Sequence, residues 1–180
     1  MALTRLTFAG IGGQGSILAG TILGSAAVTH AGQYATQTQA YSSELRGGFA
    51  ATWLIFSDSP IVYPRVVRCD ILAAQAQDSI TRFAHTLTPQ GTLLCDTDMI
   101  ASIPGDVTAS KFGIPATSIA RNTFAAPIVA NIVMLGALTR VAPVVDRRSL
   151  EKAIAETVPQ KKITLNLEAF TAGFESVAQL

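Results

Sequence analysis

A chain of 180 residues suits one domain able to bury roughly 70% of its unfolded surface, and it is short for two well-buried ones. Apolar residues make up 49% of it and the mean hydropathy is +0.39, while charged residues are only 14%, against about 25% in an average soluble domain. That balance excludes intrinsic disorder, and a net charge of +1 argues for neither nucleic acid nor a membrane surface as partner.

In chain order, residues 3–9 (LTRLTFA) predict a first strand, ended by a glycine cluster at residues 10–15 (GIGGQG). Residues 16–30 predict a helix with Ile17, Leu18, Ile22, Leu23 and Ala26 near one face, capped by Gly32. Residues 34–39 alternate as a second strand, residues 40–48 form a loop, and residues 49–56 (FAATWLIF) make a third strand. A turn at residues 57–60 leads to a short hairpin strand at residues 61–63. Residues 70–74 (DILAA) predict a buried strand, followed by a helix at residues 78–87 and strands at residues 91–96 and 107–110. A helix at residues 127–139 presents Ile128, Ile132, Leu135 and Leu138. Asp146 or Ser149 caps the next helix, Pro159 ends it, and residues 163–178 form the last. The alternation predicts one α/β domain over residues 1–180, a three-layer α/β/α sandwich on a Rossmann-like, mostly parallel mixed sheet.

Residues 6–57 hold just two charged side chains, Glu44 and Arg46, where the chain average would place about seven. Either a partner covers this segment, or it builds a deeply buried sheet with neutral polar loops. The longest apolar run, residues 124–138, is broken by Pro127 and Asn131 and is too short to span a bilayer. No signal peptide is read at the start, so the expected location is the cytoplasm. Cys69 and Cys95 have no metal-ligand spacing and read as small buried hydrophobes; no metal site is expected.

Gly10, Gly12 and Gly15 fit G-x-G-x-x-G between a strand and a helix, where backbone N–H groups and the helix N-terminus favour an anion. A dinucleotide site further needs an acid about 20 residues on, yet residues 33–39 (QYATQTQ) contain none. Gly20 and Gly24, four apart, point to tight packing of the helix on the sheet. Glu44 and Arg46 have three readings: a surface ion pair, an inter-subunit pair, or a guanidinium presented to a phosphate or carboxylate. Neither His30 nor His85 sits in a nucleophile–base arrangement, and no catalytic residue is assigned to this chain.

Residues 8–15 (FAGIGGQG) and 37–48 (QTQAYSSELRGG) together resemble the gamma subunits of 2-oxoacid:ferredoxin oxidoreductases. Residues 57–64 (SDSPIVYP), 131–138 (NIVMLGAL) and 161–170 (KKITLNLEAF), with Gly173, extend the resemblance over nearly the whole chain. The wording is most similar to 2-oxoglutarate enzymes, with pyruvate, ketoisovalerate and indolepyruvate enzymes as alternatives. A free-standing nucleotide-binding Rossmann module is the alternative from another class. Ser42 stands where the family usually has glycine, which implies a differently bent loop.

The resemblance implies an accessory subunit of a complex that oxidatively decarboxylates a 2-oxoacid to an acyl-CoA and reduces ferredoxin. It implies thiamine diphosphate, Mg and [4Fe-4S] clusters on partner alpha and beta subunits, a delta subunit in some complexes, and CoA as co-substrate. The candidate cofactor-binding or subunit-interface residues are Gly10, Gly12, Gly13, Gln14, Gly15, Tyr41, Glu44, Arg46, Gly47 and Gly48.

Overall fold

The computed structural model describes residues 3–42 and 48–180. Its sheet has seven strands: β1 (Thr4–Ile11), β2 (Tyr34–Tyr41), β3 (Phe49–Ser57), β4 (Cys69–Ala74), β5 (Leu87–Asp96), β6 (Ser110–Ile114) and β7 (Ala178–Gln179). Their order across the sheet is β2-β3-β1-β4-β5-β6-β7. The run β1-β4-β5-β6 is parallel, while β3 is antiparallel to both β1 and β2, and β7 is antiparallel to β6. The helices are α1 (Ser16–Ser25), α2 (Gln77–Phe83), α3 (Ala116–Asn122), α4 (Ala130–Val141), α5 (Arg147–Thr157) and α6 (Ile163–Ser176).

The two faces of the sheet are covered unequally. Leu6 and Phe8 of β1 and Leu54 and Phe56 of β3 pack with Ile22 and Leu23 of α1, Ile132 and Leu135 of α4, and Phe170 of α6 in the larger core. The smaller core on the other face joins Leu72, Leu93, Cys69 and Cys95 to Ile80 and Ala84 under α2. Residues 130–139 of α4 are buried all round, as expected of a helix apolar on every side. Ile128, placed on its packing side by the sequence, is instead exposed in the preceding 3₁₀ turn. No helix of the described residues is long and apolar enough to cross a membrane.

Glycine sets how closely these layers approach. A Cβ on Gly20 would collide with Thr52 of β3, so α1 packs tightly on the sheet there, whereas one on Gly24 would make only ordinary contact with Leu54. The tightest approach lies elsewhere, where α4 crosses α6. A Cβ on Gly136 would overlap the carbonyl oxygen of Phe170, and one on Gly173 would overlap that of Val133.

Several elements differ from the sequence reading. Residues 61–63 form no strand: prolines at 60 and 64 flank them, and Val62 and Tyr63 are exposed. The hairpin is β2–β3, in unbroken register from Tyr34↔Ser57 to Tyr41↔Ala50, which moves Tyr41 from the predicted loop into a strand. The strand expected at residues 107–110 starts at Ser110, while Val107 and Ala109 pack into the smaller core ahead of it. Helix α3 was not expected, and the last helix stops at Ser176 so that Ala178 and Gln179 can pair with β6. The first helix continues through a π-helical turn, Ala26–His30, before Gly32 turns the chain at φ +67°. Asp146 is the cap of α5: its Oδ1 accepts the Ser149 N–H at 3.0 Å and its Oδ2 the Ser149 hydroxyl at 2.6 Å. Those bonds hold its carboxyl below the usual range.

The charge-poor segment divides between its two readings. Residues 6–10 of β1 and nearly all of β3 lack charge because they are buried. Most of β2, with Leu18 and Val28 of the first helical segment, lacks charge although it is exposed.

Candidate functional site

The glycine loop leaves the C-terminal end of β1, the edge of a parallel sheet where α/β folds place ligand crevices. The Gly12 N–H donates to the Gly48 carbonyl at 2.7 Å, extending the β1–β3 ladder one step past Ile11. The Gln14 N–H returns to the Ile11 carbonyl at 3.1 Å. Gly13 and Gly15 have φ of +97° and +77°, values that glycine reaches without strain.

An amide network fixes this turn from beneath. Gln14 Oε1 accepts the Ile11 N–H at 2.8 Å, and Gln14 Nε2 donates to the Gln75 carbonyl at 3.0 Å. Gln75, buried at the end of β4, accepts the Ser16 hydroxyl on Oε1 at 2.7 Å and donates from Nε2 to the Gln14 carbonyl at 3.3 Å. Asn131, buried at the start of α4, donates from Nδ2 to the Gly15 carbonyl at 3.1 Å. Buried amides need such partners, and Gln75 and Asn131 each donate theirs to a carbonyl of the loop. Gly10 lies inside the network, where a Cβ would come within 2.5 Å of Gln14 Oε1 and 2.6 Å of Ser16 Oγ.

Above the loop is a cavity of about 380 Å³ whose walls include Gly12, Gly13, Gly15, Ser16, Tyr41 and Gly48. Among the described residues, none of its lining side chains is charged. Gly12 and Gly48, one from each glycine motif, therefore meet in space through the β2–β3 hairpin. Gly12, Gly13, Gly15, Tyr41 and Gly48 line the cavity, whereas Gly10 and Gln14 do not and belong to the network that fixes the loop. Glu44, Arg46 and Gly47 lie outside the described residues. Gly15 gives α1 no side-chain cap, so the first-turn N–H groups are open to an acceptor.

Sequence reasoning missed Gln75 as a fixing residue and noted Asn131 only as a break in an apolar run. The signal for both was a neutral amide beside a continuous apolar stretch, which burial obliges to find a partner. The dinucleotide reading fails on topology as well as on its missing acid. The neighbour of β1 on the hairpin side is the antiparallel β3, so β2 is not placed to seat a ribose beside the loop.

Elsewhere, a groove of about 560 Å³ runs between α2 and residues 102–109 and contains none of the predicted site residues. Cys69 and Cys95 are free and buried, and burial pushes both thiols up, Cys95 to about 12. The chain holds two cysteines, fewer than the four thiolates that ligate a [4Fe-4S] cluster. Burial also raises the Asp96 carboxyl, opposed by the Thr117 hydroxyl at 2.6 Å and the Asp98 N–H at 3.2 Å. Among the described residues, no group of three or more His, Cys, Asp or Glu side chains could hold a metal ion. His30 Nε2 meets Glu156 Oε2 at 2.9 Å, an imidazole–carboxylate pair without a nucleophile among the described residues.

Residues 5–176 match the family described as pyruvate ferredoxin/flavodoxin oxidoreductase. The chain belongs to that family. The 2-oxoglutarate synthase subunit KorC of Methanocaldococcus jannaschii is 41% identical over 178 residues, 98% of this chain and 95% of that one. The ketoisovalerate oxidoreductase subunit VorA of Methanothermobacter thermautotrophicus is 34% identical over 174 residues, 95% of this chain but 36% of VorA. The crystal structure of the keto/oxoacid ferredoxin oxidoreductase gamma subunit of Geobacter sulfurreducens has a TM-score of 0.85 at 36% identity, covering 96% of each chain. All three are oxidoreductase subunits. The match to the pyruvate ferredoxin/flavodoxin oxidoreductase family runs from β1 to the end of α6 and takes in the glycine loop.

Proposed function

We propose that this chain is the gamma subunit of a 2-oxoglutarate:ferredoxin oxidoreductase complex, working in the cytoplasm with alpha and beta subunits and, in some complexes, a delta subunit. The observation that carries this reading is the 41% identity with KorC along nearly its entire length. In this reading, thiamine diphosphate, Mg and [4Fe-4S] clusters on the partner subunits supply the decarboxylation and the electron path to ferredoxin. The contribution of this chain is a shaped, uncharged surface. Its glycine loop presents backbone at Gly12, Gly13 and Gly15 with no side chains to block it, and the amide network holds the turn in place before any partner arrives. The loop and the segment from Tyr41 to Gly48 meet the thiamine-binding subunits beside the path of CoA. The VorA relationship supports another 2-oxoacid as the second reading, since that subunit shares 34% identity with this chain.

The test uses the complex recovered from native cells, carrying Glu44→Ala or Arg46→Ala in this chain. Removing the charge at one of these positions is expected to weaken assembly, raise the KM for CoA or lower turnover by about tenfold or more. Unchanged assembly and kinetics in both variants would remove the site assignment. The same preparation assayed with a panel of 2-oxoacids should reduce ferredoxin fastest with 2-oxoglutarate; a preference for pyruvate or a branched 2-oxoacid would overturn the substrate.

A further inference from the structure

Among the described residues, strand β2 ends the sheet, with β3 as its single neighbour in the strand order. The hydrogen-bond phase of this edge can be derived. The Ser42 N–H donates to the Phe49 carbonyl at 2.9 Å, so Ser42 and Phe49 are a bonded pair in the β2–β3 register. Antiparallel ladders alternate bonded and non-bonded pairs, so Ala40, Thr38, Thr36 and Tyr34 also bond to β3. The N–H and C=O groups of Ala35, Gln37, Gln39 and Tyr41 then point away from the sheet. The bonded Gly12–Gly48 pair on the other side of β3 requires the same phase.

Proteins usually guard such an edge with lysine, proline, a bulge or a very short strand. β2 has none of these: it is eight residues long, uncharged and in unbroken register. The helix beside it, α1, also carries no charge and leaves Leu18 exposed, with Val28 exposed in the turn that follows.

We propose that β2 pairs antiparallel with β2 of a second copy of this chain, about a two-fold axis through Thr38, joining the two sheets into one. A two-fold axis perpendicular to the sheet keeps faces together, so residues of like parity must oppose one another. With Thr38 on the axis, Thr38 meets itself, Gln37 stands opposite Gln39, Thr36 opposite Ala40, and Ala35 opposite Tyr41. All four outward-facing residues then form bonded pairs, each exchanging two hydrogen bonds, with none left over. Setting the axis at Gln37 would require Gln33 to pair with Tyr41, but the Gln33 N–H is already donated to the Ala27 carbonyl at 2.9 Å. No like charges oppose across the joint, and threonine and glutamine meet their own kind, which favours cross-strand pairing. The proposal holds whichever 2-oxoacid the complex takes.

Sedimentation of the purified full chain tests it. The wild type should show a concentration-dependent dimer. Thr38→Lys and Thr38→Glu should each weaken association at least about tenfold, with unchanged circular dichroism and melting, because like charges then meet on the axis. An equal mixture of the two variants should restore the dimer, since lysine then faces glutamate. A wild-type chain that stays monomeric at every concentration, a Thr38→Lys chain that still dimerises, or a mixture that does not reassociate would each overturn the proposal.

Discussion

Replacing Gly136 or Gly173 by alanine is expected to lower the melting temperature of the chain by several degrees, although alanine is the better helix former. Intrinsic propensity favours alanine over glycine by about 1 kcal/mol in a helix interior. At both positions the added methyl falls on backbone of the facing helix, the Phe170 and Val133 carbonyls, and no rotamer change can relieve that overlap. Helices α4 and α6 would have to separate, opening the core around Phe170 and Leu135. Overpacking of this kind costs about 1–3 kcal/mol, so at the upper end of that range a net destabilisation of roughly 2 kcal/mol is expected after the propensity gain. In a chain of this size that lowers Tm by about 4–8 °C. Gly105→Ala, with nothing within 4 Å of its added Cβ, should stay within about 0.5 kcal/mol of the wild type. Thermal melting by circular dichroism separates these outcomes, and a Gly136→Ala chain as stable as the wild type would contradict the crossing geometry.

Gly15→Ala is expected to damage both stability and function, because two independent obstacles meet there. Its φ of +77° is left-handed, which costs a non-glycine residue about 1–2 kcal/mol. The added Cβ would also come within 2.5 Å of Asn131 Nδ2, forcing that buried amide off the Gly15 carbonyl. Leaving a buried polar group unpaired adds about 1–3 kcal/mol, giving about 2–5 kcal/mol in all. Since the loop is a proposed partner surface, assembly of the complex should fail along with it. The double variant Gly15→Ala/Asn131→Ala separates the causes: removing the amide relieves the clash but not the φ strain. A favourable coupling of about 0.5–3 kcal/mol between the two changes is expected, and strict additivity would show that Asn131 does not hold the loop.

The fold was legible in the sequence wherever local pattern and burial agree. The alternation along β1 and β3, the GIGGQG turn and the capping residue Asp146 all follow from short-range chemistry, and the structure contains them. What failed depends on contacts far away in sequence. Residues 61–63 look like a strand by composition, but with prolines at either end they stay outside the sheet. β7 exists only because β6 offers a free edge to the chain terminus, and the two-turn α3, which buries just Ala116 and Ala120, is too short to give a periodic signal. The cavity was half legible: both glycine motifs were readable, but the hairpin that brings Gly48 to Gly12 could not be read from residues 40–48 alone. Gln75 and Asn131 were invisible as a pair because an amide's partner is set by three-dimensional packing. The low charge also resolved into two causes, burial for β1 and β3 and an uncovered neutral surface for β2 and α1.

Affinity recovery of this chain from native cells, with thiamine and iron measured in what accompanies it, tests its role as an accessory subunit most directly. The chain should return with larger partner subunits, thiamine diphosphate and iron, and the recovered material should reduce ferredoxin when given 2-oxoglutarate and CoA. Recovery of the chain alone, or only with copies of itself and without thiamine or iron, would contradict the account.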